Sequence, residues 1–215
     1  MYETILFDID GTLLDSEKNL LTAFRCALYD VLHTAYCLAE LEKIIGLPDT
    51  KAAAVFTKDP EKQARIVKLW TSYVKNSPAA PPLFDQVTPT LLELKKRHTK
   101  IGIVTSKTLE HMQHDFNKHQ INHLFDVIIT SDQVRHPKPH PEPLALALQK
   151  TGSKQASTLY VGDTYTDLLC AKNCRVPFAL AAWGAKEDPR LAEADYRLQQ
   201  FQDLLTLEDA CKGCF

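Results

Sequence analysis

Beyond residue 82 the chain alternates between two hydrophobic patterns. Short, mainly apolar runs at residues 101–105, 125–130, 158–161 and 178–182 are separated by stretches at 87–97, 109–119, 142–150 and 166–173. In those stretches apolar residues recur every three or four positions. The short runs fit strands buried on both faces, and the three-to-four spacing fits amphipathic helices. One further run, Ile5-Leu6-Phe7, opens the chain; residues 194–198 predict a weak edge strand and 201–210 a closing helix. Strands alternating with helices predict an α/β fold built on a doubly wound parallel sheet.

Residues 17–82 follow another rule. Leu20, Leu21, Phe24, Ala27, Leu28, Val31 and Leu32 share one helical face, and further helices are predicted at 39–45, 50–56 and 61–74. Breaks fall at Gly46-Leu47-Pro48 and Asp59-Pro60, and the segment ends in Ser77-Pro78-Ala79-Ala80-Pro81-Pro82, a stiff connection. The predicted organisation is an α/β core of residues 1–16 and 83–215, interrupted by an α-helical domain of residues 17–82.

Composition narrows the partners. With 45% hydrophobic and 24% charged residues the chain is an ordinary globular one, and its net charge of -2 leaves no basic excess for nucleic acid or an anionic membrane. Any anion site must be local. No apolar run approaches bilayer-spanning length, and Met1-Tyr2-Glu3-Thr4 lacks the features of a signal peptide, so a cytoplasmic location is expected. The six cysteines, at positions 26, 37, 170, 174, 211 and 214, are expected to be reduced. Cys211 and Cys214 have the spacing of a redox pair or, with Cys170 and Cys174, half of a zinc site, but they lie where a terminus frays.

In a doubly wound sheet ligands bind beyond the carboxyl ends of the strands. There the sequence carries Asp8, Asp10, Gly11 and Thr12, then Thr105 and Ser106, then Lys138, then Gly162 and Asp163. Singly, each has an ordinary explanation: turn residues, helix caps, a solvated loop lysine. Together they supply the parts of a phosphoryl-transfer site. Asp8 can attack phosphorus to give an aspartyl phosphate, and Asp10 can protonate the leaving oxygen and later take a proton from water. Lys138 offsets charge, Thr105 and Ser106 donate hydrogen bonds, and Asp8 with Asp163 suits Mg²⁺.

Leu6-Phe7-Asp8-Ile9-Asp10-Gly11-Thr12-Leu13, Thr105-Ser106, Lys138-Pro139-His140-Pro141-Glu142-Pro143-Leu144 and Gly162-Asp163-Thr164-Tyr165-Thr166-Asp167 together resemble the haloacid dehalogenase superfamily. The chain is similar to its phosphoglycolate phosphatase-like branch, which has a Rossmann-like core and a helical cap. The resemblance implies Asp8 as nucleophile and Mg²⁺ ligand, and Asp10 as acid/base with its carbonyl on the metal. It also implies Thr105 and Lys138 on the phosphate, Asp163 on Mg²⁺ and Asp167 as a supporting acid. The substrate implied is a small phosphorylated metabolite: phosphoglycolate, a sugar or nucleotide phosphate, or pyrophosphate. Asp10 argues against carbon–halogen cleavage, where no alkoxide needs a proton. A phosphomutase resembling β-phosphoglucomutase and a non-catalytic phosphate- or protein-binding module stay open. Gly46 resembles the cap loop that selects substrate, with Lys43, Asp49, Thr50 and Lys51 nearby, and joints near Asp15 and Pro81 would let the cap close.

His111 and His114, with His119 and His123, are read as solvated; His136 and His140 flank Lys138 as loop residues. Trp70 and Trp183 are read as packing residues, and Trp183-Gly184 resembles the family's turn after the fifth strand.

Overall fold

A computed structural model describes residues 2–45, 47, 49–77 and 80–210. In chain order its strands and α-helices are β1 (Thr4–Phe7), α1 (Glu17–Leu32), α2 (Leu38–Leu41), α3 (Asp49–Ala54), α4 (Pro60–Lys75), α5 (Val87–Lys96), β2 (Lys100–Val104), α6 (Leu109–His114), β3 (Val127–Ile129), α7 (Glu142–Thr151), β4 (Thr158–Gly162), α8 (Tyr165–Cys174), β5 (Phe178–Ala181), β6 (Tyr196–Leu198) and α9 (Asp203–Ala210). The chain divides into two compact units, Met1–Asp15 with Pro82–Phe215, and Ser16–Pro81.

In the larger unit the strands form one parallel sheet in the order β3-β2-β1-β4-β5-β6. β1 is fully buried because its side chains alternate between two cores. Ile5 and Phe7 join Val87, Leu91 and Leu94 of α5 on one face, while Leu6 joins Leu144 and Ala147 of α7 and Leu168 of α8 on the other. Connections run outward from β1 in both directions, so its carboxyl end is the switch point where a crevice opens.

Several predicted elements are shorter than the pattern implied, among them the edge strand, which is Tyr196–Leu198, and in three the reason lies in the local structure. The helix expected over 109–119 ends at His114, because Asp115 (φ -129°, ψ -74°) leaves the helix and its carboxylate accepts from Phe116 N at 2.5 Å. A 3-10 turn then covers Phe116–His119. The strand expected over 125–130 begins at Val127, since Asp126 turns its carboxylate to Ile101 N (2.9 Å) and to Lys95 (2.9 Å). The helix expected over 39–45 is α2 followed by a 3-10 turn, Glu42–Ile44.

The helical unit has its own core. α1 and α4 bury Phe24, Leu28 and Ile66; the Trp70 ring lies 4.8 Å from that of Phe24, and its indole N–H donates to Leu20 O at 3.0 Å. Asp59 caps α4 ahead of Pro60, accepting from Glu61 N and Lys62 N.

Candidate active site at the strand ends

β1 delivers Asp8, whose N–H still bonds Val161 O of β4 at 2.9 Å. The chain then turns tightly, with Leu13 N and Leu14 N both returning to Ile9 O. Gly11 sits at φ +72°, and a Cβ there would lie 2.1 Å from Asp163 Oδ2, so only glycine lets the turn approach that carboxylate. Thr12 donates to Asp163 Oδ1 at 3.1 Å. Behind the turn, Trp183 Nε1 donates to Thr12 O at 3.0 Å, and a Cβ on Gly184 would meet Gly11 O at 1.8 Å.

Lys138 is no solvated loop lysine. Its side chain is 2% exposed and reaches Asp167 Oδ1 at 2.6 Å, Asp8 Oδ1 at 3.1 Å and the Tyr160 hydroxyl at 3.0 Å. Burial alone would lower its pKa, but Asp167 and Asp8 outweigh burial and hold it above the ordinary lysine value. Asp167 is saturated: Oδ1 takes Lys138 and Tyr160, and Oδ2 takes the Thr164 N–H and hydroxyl. Thr164 and Asp167 thereby form the capping box of α8. Burial raises the Asp167 pKa, and Lys138 with these hydrogen bonds brings it below the usual carboxylate range.

Asp8 and Asp163 are the strained pair. Burial, opposed by Lys138 and reinforced by Asp167 and Asp10, pushes Asp8 up to about 7. Burial, then Asp167 and Asp8, drives Asp163 well above its ordinary value. Asp8 Oδ1 touches Lys138 without hydrogen-bond geometry, so this buried oxygen is left unsatisfied. Asp8, Asp163 and Asp167 offer ligand atoms within 4.8 Å of one another. Three carboxylates around one ammonium, with an orphaned buried oxygen, fit a hard divalent cation held by oxygen donors. Asp8 and Asp163 are the candidate direct ligands, because Asp167 is already occupied.

Asp10 belongs to a second group. Its Oδ2 pairs with Lys107 at 3.0 Å, and Lys107 also pairs with Asp115 Oδ2 at 2.7 Å. Thr105 is buried, and its hydroxyl oxygen accepts from Lys107 N at 3.1 Å, leaving its proton for another acceptor; Ser106 is exposed. Thr105 caps no helix, since Thr108 is the N-cap of α6. Lys107, Asp115, Tyr160 and Thr164 were not singled out as site residues from the sequence. Lys107 follows Thr105-Ser106 directly, which is a usable signal, and Tyr160 is a buried hydroxyl needing partners. Asp115 carried no signal, being hidden in a helical pattern.

Gly46 lies outside the described residues, as do Cys211 and Cys214. Lys43 Nζ sits 4.6 Å from the centre of the Phe56 ring, within the helical unit. His136, His140 and Glu142 form a surface cluster in which Glu142 accepts from the backbone of Arg135 and His136 and pairs with His136 Nδ1 at 2.9 Å. That cluster braces the loop carrying Lys138.

Fold and site together define a doubly wound α/β protein with an aspartate-lined site at its switch point. The family model for haloacid dehalogenase-like hydrolases matches residues 5–181, and the chain belongs to that family. The chain is 34% identical, over 95% of its length and 95% of the relative's, to pyrophosphatase PpaX of Bacillus cereus. It is similar to the structure of a haloacid dehalogenase-like family hydrolase from Streptococcus pneumoniae, with TM-score 0.80, 25% identity, and 95% of this chain and 97% of that one covered. A predicted phosphoglycolate phosphatase from Haemophilus somnus shares the fold, with TM-score 0.84, 24% identity, and 96% and 98% covered. Among the described residues no helix is long and apolar enough to cross a membrane.

Proposed function

We propose that the protein is a Mg²⁺-dependent phosphohydrolase that acts on a small phosphorylated metabolite through an aspartyl phosphate on Asp8. The observation that carries this is the cluster of buried Asp8 and Asp167 with half-buried Asp163 beside Lys138, with Asp8 raised to about 7. Such a carboxylate needs added positive charge to be an ionised nucleophile at neutral pH. Asp8 and Asp163, with the backbone carbonyl of Asp10, would hold Mg²⁺, which when bound supplies charge neutralisation for the carboxylates and the phosphoryl oxygens.

An Asp8 oxygen attacks phosphorus, and the bond from phosphorus to the leaving oxygen breaks. The Asp10 carboxyl gives that oxygen its proton. Asp10 then takes a proton from water, whose oxygen attacks phosphorus, releasing inorganic phosphate and restoring Asp8. Lys138 and the Thr105 hydroxyl face the phosphoryl oxygens, with Ser106 beside them, and Asp167 keeps Lys138 charged and in place. Gly11 and Thr12 hold Asp163 against the turn.

Inorganic pyrophosphate is the first substrate to test, on the strength of the 34% identity to a protein named a pyrophosphatase; small phosphate monoesters follow. Phosphate release from pyrophosphate and from p-nitrophenyl phosphate is measured for wild type and Asp8→Asn, with Mg²⁺ and with EDTA. Release that requires both Asp8 and Mg²⁺ is expected. Release by Asp8→Asn at the wild-type rate, or wild-type release unaffected by EDTA, rejects the mechanism.

A further inference from the structure

The strand ends present two buried lysines, and only Lys138 has a part in the chemistry above. Lys107, 9% exposed, lies between Asp10 Oδ2 and Asp115 Oδ2, at 3.0 and 2.7 Å. Both ends of the residue are pinned. Its N–H bonds the Thr105 hydroxyl at 3.1 Å, and its carbonyl accepts from Ser131 N at 2.9 Å. Asp115 is also buried, and its second oxygen is fixed by Phe116 N. The result is a continuous chain from the 3-10 turn after α6 to the carboxylate of Asp10.

Asp10 Oδ1, by contrast, is buried and has no hydrogen-bond partner. A carboxylate clamped by an ammonium on one oxygen, with the other unengaged, cannot rotate freely and offers one defined oxygen. Proton transfer in a transition state is worth roughly 10²–10⁴-fold in rate, and only from a donor within hydrogen-bond reach. A displacement of about 1 Å can cost on the order of 10²-fold. We propose that Lys107, anchored by Asp115, is a positioning residue that fixes the Asp10 carboxyl for proton transfer to the leaving oxygen. This rests on the role given to Asp10 above. The residue acts through Asp10 and not on the phosphate.

Leaving-group dependence separates the two. Values of kcat/KM, which cover the steps through cleavage of the ester, are measured with Mg²⁺ for 2,4-dinitrophenyl, p-nitrophenyl and phenyl phosphate. The proteins are wild type, Lys107→Met, Lys107→Arg, Asp115→Asn and Asp10→Ala. Dinitrophenolate departs without a proton, whereas phenolate depends on one. Lys107→Met is expected to lose about 10²-fold on phenyl phosphate and little on the dinitrophenyl ester, with the slope approaching that of Asp10→Ala. Lys107→Arg is expected to recover most of the loss, and Asp115→Asn to show the same slope more weakly.

An equal loss on all three esters, beside a graded loss in Asp10→Ala, overturns the role of Lys107 and leaves that of Asp10 standing. A uniform loss in Asp10→Ala overturns the role of Asp10 and this inference with it, and a wild type that hydrolyses neither the esters nor pyrophosphate overturns the function proposed for the site. For a wild type confined to pyrophosphate, Lys107→Met retaining the wild-type rate where Asp10→Ala loses it is the overturning result. Should Lys107→Met not fold, Asp115→Asn decides, because it keeps the cation: a flat profile there is the overturning result.

Discussion

Asp8→Asn should make the metal-free protein more stable while removing its activity. In the folded state the Asp8 carboxyl is raised from 3.8 to about 7, mainly by burial, with Lys138 opposing and Asp167 and Asp10 adding to it. A shift of about three units corresponds to roughly 4 kcal/mol as an upper bound on the cost of ionising Asp8 in place. Asparagine keeps the shape and removes the charge. Lys138 loses one partner but retains Asp167 at 2.6 Å and Tyr160 at 3.0 Å, so the net gain should be of the order of 1–3 kcal/mol. For a chain of this length that is about 2–4 °C in Tm per kcal/mol. The sign with pH is fixed. A carboxyl that binds its proton more tightly folded than unfolded costs nothing below about pH 4, and the cost is complete once the pH passes about 7. Calorimetry in EDTA at pH 8 should therefore show the variant melting higher, with the difference shrinking toward pH 4.5. Saturating Mg²⁺ at pH 8 should raise the wild-type Tm more than that of the variant. A variant that melts below wild type in EDTA at pH 8, or a gain independent of pH, would refute the electrostatic account.

Gly184→Ala would force a Cβ to within 1.8 Å of Gly11 O, a backbone atom, and should destabilise the protein by about 3 kcal/mol in urea unfolding while lowering kcat through the displaced turn. Thr164→Ala removes the α8 cap and a hydrogen bond to Asp167, for a loss of about 1–2 kcal/mol in the same assay. Among the described cysteines, Cys26 and Cys37 are exposed, whereas Cys170 is buried with its thiol pushed up to about 12, chiefly by burial. Brief alkylation of the native protein at pH 8, read by peptide mass spectrometry, should modify Cys26 and Cys37 and spare Cys170.

Much of this was legible in the sequence because its signals are local. Mainly apolar runs gave the strands, and acids or hydroxyls at their carboxyl ends marked Asp8, Asp10, Thr105 and Asp163. What the sequence withheld was partnership. Nothing in the order of residues assigns Lys138 to Asp8 and Asp167 while giving Asp10 to Lys107; that division depends on how the loops after β2 and β3 fold back. Asp115 and Asp126 show the same limit: each sat in a regular pattern, and each broke it because its carboxylate is used elsewhere, on Lys107 in one case and on Ile101 N and Lys95 in the other. Tyr160 read as one more apolar strand residue, although its hydroxyl accepts from Lys138 and its proton is shared between Val104 O and Asp167.

The central place of β1 bears on how the chain is made. Thr4 aligns with Lys100 on one side and with Thr158 on the other, so β1 has both of its neighbours only once β4 has been made. At typical elongation rates the wait for β4 lasts roughly ten to thirty seconds. Meanwhile residues 16–81, which hold a core of their own, are free to fold. An unfinished chain halted before residue 158 would carry an apolar strand with one open edge, a template for unwanted pairing between nascent chains. The placement that gathers Asp8 and Asp163 at one point thus also makes synthesis past β4 the event that covers the second edge of β1.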